Sequence, residues 1–101
     1  MAQFLQKFRF KENENGQILF SIMVNEFFVQ EHTLERSLLI NFMSNWDGIS
    51  FKHYILTVSK KTDGFFQFCV ANNNVRSIYR LSPSEFQRMF AMLRRTIDLG
   101  V

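Results

Sequence analysis

The side chains in this sequence that could do chemistry by type and spacing are cations set at strand periodicity. Lys7, Arg9 and Lys11 alternate with Phe8 and Phe10, so an extended backbone turns the three cations to one side and Phe4, Phe8 and Phe10 to the other. Lys52 and Tyr54 share a face of a later run, Lys60 and Lys61 sit at a turn, and Arg76 and Arg80 flank Ile78 on one face of a last short strand. If these faces coincide, a sheet presents a basic surface with aromatic rings among the charges. Such a surface binds single-stranded nucleic acid, because cations track phosphates and exposed rings stack on bases. The competing reading is that these are ordinary solvated faces of an antiparallel sheet. Alternating cations also guard an edge strand against sheet-to-sheet aggregation without any ligand. Arg88, Arg94 and Arg95 divide the same way, between contacts to phosphate or an acidic partner and the wet side of an amphipathic helix.

Enzymatic chemistry has little to work with. His32 and His53 are the only histidines and Cys69 the only thiol, too few at recognisable spacing for a metal site. A Cys69–His53 nucleophile pair on neighbouring strands is conceivable, but Cys69 reads better as a small core residue. The four glycines fall at turns or the terminus and make no phosphate loop. Glu12, Glu14 and Asp63 lie in turn-like segments, where carboxylates are solvated. The expectation is a non-enzymatic module with no cofactor and no metal.

Size and composition bound the rest. A chain of 101 residues fits one domain, 1–101, with an ordinary core. The hydrophobic fraction of 47% argues against disorder. Most of the thirteen Phe should be core, since the ring has no polar handle, and the surplus over one small core leaves some for a second apolar surface that a partner or a second copy could cover. A formal charge of +3 permits nucleic acid or an acidic protein as partner and demands neither. One cysteine suits a reducing, cytoplasmic setting, and neither a signal peptide nor a membrane span is expected.

The elements that must position these residues follow from pattern. Residues 4–11 predict a half-buried strand, and Asn15-Gly16 a tight turn. Residues 17–29 read as one strand, apolar on both sides and therefore central or covered on its second face, with Ile18, Phe20, Ile22 and Val24 on one face. Residues 33–46 fit a helix capped by Thr33, with Leu34, Leu38, Phe42 and Trp46 every four residues; a strand ending in an Asp47-Gly48 turn is the alternative, and the helix fits better. Residues 49–59, 65–71 and 75–81 predict an antiparallel meander joined by Lys60-Lys61-Thr62-Asp63-Gly64 and by Asn72-Asn73-Asn74. A helix over 82–99 is marked at both ends: Ser82 caps, Pro83 fits the first helical position, Glu85 closes a capping box, Leu81 and Phe86 staple it, and Gly100 ends it. Phe86, Met89, Phe90, Leu93 and Ile97 make its apolar stripe.

Phe65-Phe66-Gln67-Phe68-Cys69-Val70, a polar turn, and then Ser77-Ile78-Tyr79-Arg80-Leu81-Ser82-Pro83-Ser84-Glu85-Phe86 resembles the end of a group comprising Whirly proteins, Pur-alpha and bacterial relatives of the transcriptional coactivator positive cofactor 4. The resemblance covers about a third of the chain. It implies curved antiparallel strands followed by a capped helix, binding of single-stranded DNA or RNA, and pairing as dimers through helix and sheet. A helix at 33–46 departs from the group, which runs through four consecutive strands before its helix, and the Lys- and Gly-rich strand tips of the group are thin here. The expected fold is α+β: an antiparallel sheet of about five strands, a helix at 82–99 packed on one face, and a second helix at 33–46. The expected function is binding of single-stranded nucleic acid by a homodimer, with Lys7, Arg9, Lys11, Lys52, Tyr54, Lys60, Lys61, Arg76 and Arg80 as the contact residues. The runner-up is a small protein-interaction or inhibitor module, of phage or plasmid type, that works through an apolar Phe-rich surface.

Overall fold

The computed structural model describes residues 8–25, 28–72 and 75–99; Phe4, Lys7, Asn73, Asn74 and Gly100 lie outside them, as does the side chain of Val24. The chain folds as α+β with two antiparallel sheets. The first runs β1 (Phe8–Glu12), β2 (Gln17–Asn25), β3 (Phe28–Glu35) in that spatial order, followed by α1 (Arg36–Asn45). The second is a meander of β4 (Ser50–Lys52), β5 (Leu56–Lys60), β6 (Phe66–Asn72) and β7 (Val75–Leu81), followed by α2 (Pro83–Leu99). Among the described residues no helix is long and apolar enough to cross a membrane.

Several expectations are corrected. One sheet of about five strands is, among the described residues, seven strands in sheets of three and four. The run 17–29 is not one strand: β2 ends at Asn25 and the chain returns as β3 from Phe28. Thr33 is not a helix cap, because β3 continues through Glu35 and α1 starts at Arg36 without a side-chain cap bond. The reason is tertiary pairing. Leu34 sits opposite Ile18 and is buried with it, and the Gln17 side-chain amide donates to Glu35 Oε1 at 2.9 Å. Burial of Leu34 against a strand outweighs the helical spacing that it shares with Leu38.

The run 49–59 is also divided, by a turn that His53 builds. Its backbone N–H donates to the Leu56 carbonyl at 3.0 Å, its ring Nδ1 accepts the Ile55 N–H at 3.1 Å, and its carbonyl accepts the Thr57 hydroxyl at 3.2 Å. A side chain that satisfies its own backbone in this way competes with a continuous strand. The Ala71 N–H donates to the Ile55 carbonyl at 2.8 Å and ties the turn to β6.

Other local expectations hold. Gly16 has φ +73°, which a side chain would strain, and closes the β1–β2 hairpin. After α1, Asp47 Oδ1 accepts the N–H groups of Ile49 and Ser50, which holds its carboxyl below the ordinary range. At α2 the capping box forms: the Glu85 N–H donates to Ser82 Oγ at 3.2 Å, and the Ser82 N–H to Glu85 Oε1 at 2.8 Å. Leu81 and Phe86 are buried, and Phe86 stacks on Phe66, the cross-strand partner of Leu81, at 4.1 Å. The far end of α2 is closed by Arg36, whose guanidinium donates to the Ile97 carbonyl at 2.7 Å and lies 3.9 Å from Glu12 of β1. A cation there meets the negative end of the helix dipole.

One core joins both sheets and both helices. Phe20 of β2 meets Phe68 of β6 at 5.4 Å and Tyr79 of β7 at 6.4 Å, while Phe42 of α1 meets Phe51, Phe68 and Phe90. Phe20, Phe42 and Phe68 are essentially fully buried. Truncating one such ring to Ala costs about 3–5 kcal/mol. The described Phe side chains are all buried or half-buried, so these rings fill the interior; exposed large apolar residues among the described ones are Val29, Ile40, Ile49, Tyr54, Val75 and Ile78. Each sheet therefore turns one face to this core and the other outward.

Candidate nucleic-acid interface

The outward face of the four-stranded sheet can be written in cross-strand rows. Ser50, Ser59, Gln67 and Arg80 form one; Lys52, Thr57, Cys69 and Ile78 the next; Ala71 and Arg76 the last. The opposite parity carries the buried Phe51, Leu56, Val58, Phe68, Val70, Tyr79 and Leu81. Register thus brings Lys52, Arg76 and Arg80 onto one face, with Ile78, which is 58% exposed, between the two arginines. Three intervals of about 4.8 Å separate β4 from β7, so Lys52 stands about 14 Å from the β7 arginines across the strands. Small or polar side chains fill the floor between them, and no strand position on this face is acidic.

The surrounding residues differ in availability. The Arg80 guanidinium is paired with Asp63 and lies over the Phe65 ring, 4.3 Å from its centroid. The bond from Arg80, with the Phe65 N–H donated to the same carboxylate, holds Asp63 below the ordinary range. Arg76 is exposed and makes no ion pair among the described residues. Tyr54 is not on a strand with Lys52: it stands in the His53 turn, 83% exposed, its ring stacked on His53 at 4.4 Å. Lys60 has the core-facing parity but lies exposed at the opposite end of the sheet, paired across to Phe66, and Lys61 follows in the turn. Cys69 is half-buried on the floor of the face, and the His53 Nδ1 that could have served it is occupied by the Ile55 N–H.

The remaining cations of the sequence reading belong elsewhere. Arg9 and Lys11 lie on the outward face of the three-stranded sheet, in the rows Arg9–Ser21–Glu31 and Lys11–Leu19–Thr33. Both sheets give their other faces to the shared core, so the two basic groups do not merge into one surface. Lys7 lies outside the described residues.

Two features had no sequence signal. A cleft of about 460 Å³ runs along β7, walled by Val75 to Arg80 on one side and by Ile22, Met23 and Gln30 on the other. At its inner edge the Tyr79 hydroxyl donates to Gln30 Oε1 and lies 2.6 Å from His32 Nε2, which as the N–H tautomer donates to it. Burial pushes the His32 imidazole below its ordinary range and the Tyr79 phenol above its own. A second hollow of about 390 Å³ lies between Trp46 and α2, lined by Phe86, Phe90, Ala91 and Arg94. Only the pairing of distant strands and helices makes either space. Among the described residues no group of His, Cys, Asp or Glu could hold a metal ion. No protein-family model matches the chain, and no curated protein or solved structure does.

Proposed function

We propose that the chain binds single-stranded nucleic acid on the outward face of the four-stranded sheet. The carrying observation is that this face holds Lys52, Arg76 and Arg80 and no acidic strand position. A flexible polyanion crossing the strands meets cations on both edges of the sheet, while Thr57, Ser59 and Gln67 on the floor offer hydrogen-bonding groups and Tyr54 offers a ring for stacking. The resemblance to the Whirly, Pur-alpha and positive-cofactor-4 group belongs to the same proposal: four antiparallel strands running into a capped helix is the order it implies, and β4 to α2 run in that order. The test is a fluorescence-anisotropy titration of a labelled 15-nucleotide DNA and RNA over a salt series. Affinity should fall steeply with salt and should drop for Lys52→Ala and Arg76→Ala. No binding at 20 mM salt overturns the reading.

A protein-interaction module remains the second reading, because the apolar hollow of Trp46, Phe86 and Phe90 lies apart from the basic face. It predicts that oligonucleotides fail to bind and that Phe90→Ser weakens a protein complex while Lys52→Ala leaves it intact. Self-association, the dimer of the sequence reading, is decided by light scattering across a concentration series.

A further inference from the structure

The free edge of β7 has properties that nucleic-acid binding does not use. In the order β4-β5-β6-β7 the last strand hydrogen-bonds, among the described residues, to β6 alone. The pairing is unbroken from Val75 to Leu81, with no register shift and neither proline nor glycine. Every second N–H and C=O on the other side of such a strand points outward, a template for one more strand. Here the template opens into the 460 Å³ cleft, and six consecutive residues of β7 line it. Val75 and Ile78 are 63% and 58% exposed along this strand, apolar surface that a further strand would cover.

The charges select what can pair. Arg76 and Arg80 flank Ile78 on the outward face, and residues directly opposite on an added strand lie on that same face. Self-pairing of β7 over its full length sets Ile78 against Ile78 and Arg76 against Arg80 of the other copy, which is repulsive. The facing wall of Ile22, Met23 and Gln30 imposes a second limit, because a strand bringing its own sheet behind it would meet the three-stranded sheet. What fits is a single extended segment with an apolar residue opposite Ile78, an acidic residue opposite Arg76, which is unpaired among the described residues, and a second acidic residue opposite Arg80 that takes its guanidinium over from Asp63. We infer that the free edge of β7 is a β-augmentation site for an extended acidic segment of a partner protein, of the alternating pattern acid–x–apolar–x–acid.

The probe is a blocked, fluorescein-labelled heptapeptide Thr-Glu-Val-Val-Val-Glu-Thr. It should bind saturably and slow hydrogen exchange of the β7 amides. Methylating alternate peptide nitrogens on the hydrogen-bonding side should weaken it at least tenfold, a result that uses the unaltered protein. The double variant Arg76→Glu, Arg80→Glu should lose the Glu peptide by tenfold or more and gain the peptide with Lys in both acidic positions. Absence of saturable binding, equal binding of the N-methylated peptide, or no gain for the Lys peptide by a variant with a native amide spectrum overturns the inference. Lys52→Ala separates the two proposals, since β4 lies at the opposite edge: it should weaken the oligonucleotide and leave the peptide unchanged.

Discussion

The outward faces of the two sheets offer the same pleated backbone to solvent and carry different electrostatics. On the three-stranded sheet Arg9 shares a row with Ser21 and Glu31, the Ser21 hydroxyl donates to Glu31, and Glu35 closes the same edge. Arg9 and Glu31 stand two strands apart, about 10 Å, close to the screening length of physiological salt, so at long range the face is nearly neutral. On the four-stranded sheet the rows hold Lys52, Arg76 and Arg80 with no acid among them, and Asp63 reaches in only from a turn to pair with Arg80. Alternation within one strand makes a basic stripe in either case. Composition of the neighbouring strands decides whether that stripe becomes a field that a polyanion can sense.

Charge reversal breaks or sharpens this contrast most directly. Lys52→Glu with Arg76→Glu should weaken a 15-nucleotide oligomer about thirtyfold at 50 mM salt, on roughly 1 kcal/mol per exposed cation. Arg9→Glu with Lys11→Glu should change affinity by about twofold or less, and anisotropy titrations compare the pairs. Equal losses would mean that the two faces act as one surface. In the same titrations the first pair should flatten the slope of log affinity against log salt by about 1.4, from about 0.7 per phosphate contact on a single strand.

A smaller effect belongs to Tyr54, the exposed ring beside the basic face. Tyr54→Ala should cost about fivefold if one base stacks there, the low end of roughly 1–3 kcal/mol per stacked base. Asp63→Asn should act in the opposite direction: releasing Arg80 and removing the acid paired with it should raise affinity by about two- to threefold at low salt and leave it unchanged at 0.5 M.

The smallest effect concerns the seam between the sheets. His32 has a native pKa below its unfolded value because burial disfavours the imidazolium. Below pH 6.5 the unfolded chain therefore binds a proton that the native chain resists, so the stability present above that pH declines as pH falls towards the native value. The melting temperature should drop modestly between pH 7.5 and pH 5, and His32→Gln should flatten the profile. Asp47 and Asp63, both held below 3.8, lose their contributions only in more acidic solution and do not confuse that window. Circular dichroism melts at each pH check the sign.

Legibility in the sequence followed the range of the interaction. Ser82, Pro83 and Glu85 announced α2 because a capping box closes within four residues. Gly16 marked its hairpin because only a residue tolerant of positive φ turns there cheaply. The return from β2 to β3 was hidden because Glu26 and Phe27 carry no turn signature and apolar residues resume at once with Phe28 and Val29. The His53 turn was hidden likewise, being written in His53, Tyr54 and Ile55, two of them strand formers. Of the candidate site, the common face of Arg76 and Arg80 was readable from one strand, whereas the place of Lys52 on that face, and the exclusion of Arg9 and Lys11 from it, needed the register of strands far apart in the chain.

What the amino-acid sequence determined alone was therefore local: where helix α2 begins, which side of each strand is apolar, and how the cations alternate. These depend on bonds and side-chain directions that repeat within a few residues. The tertiary structure decided which strands lie side by side, that two sheets share one core and, among the described residues, that one outward face has no acidic strand position and that β7 pairs on one side. Those properties arise from burying Phe20, Phe42 and Phe68 against one another across the chain, an interaction without direction whose outcome no local pattern encodes.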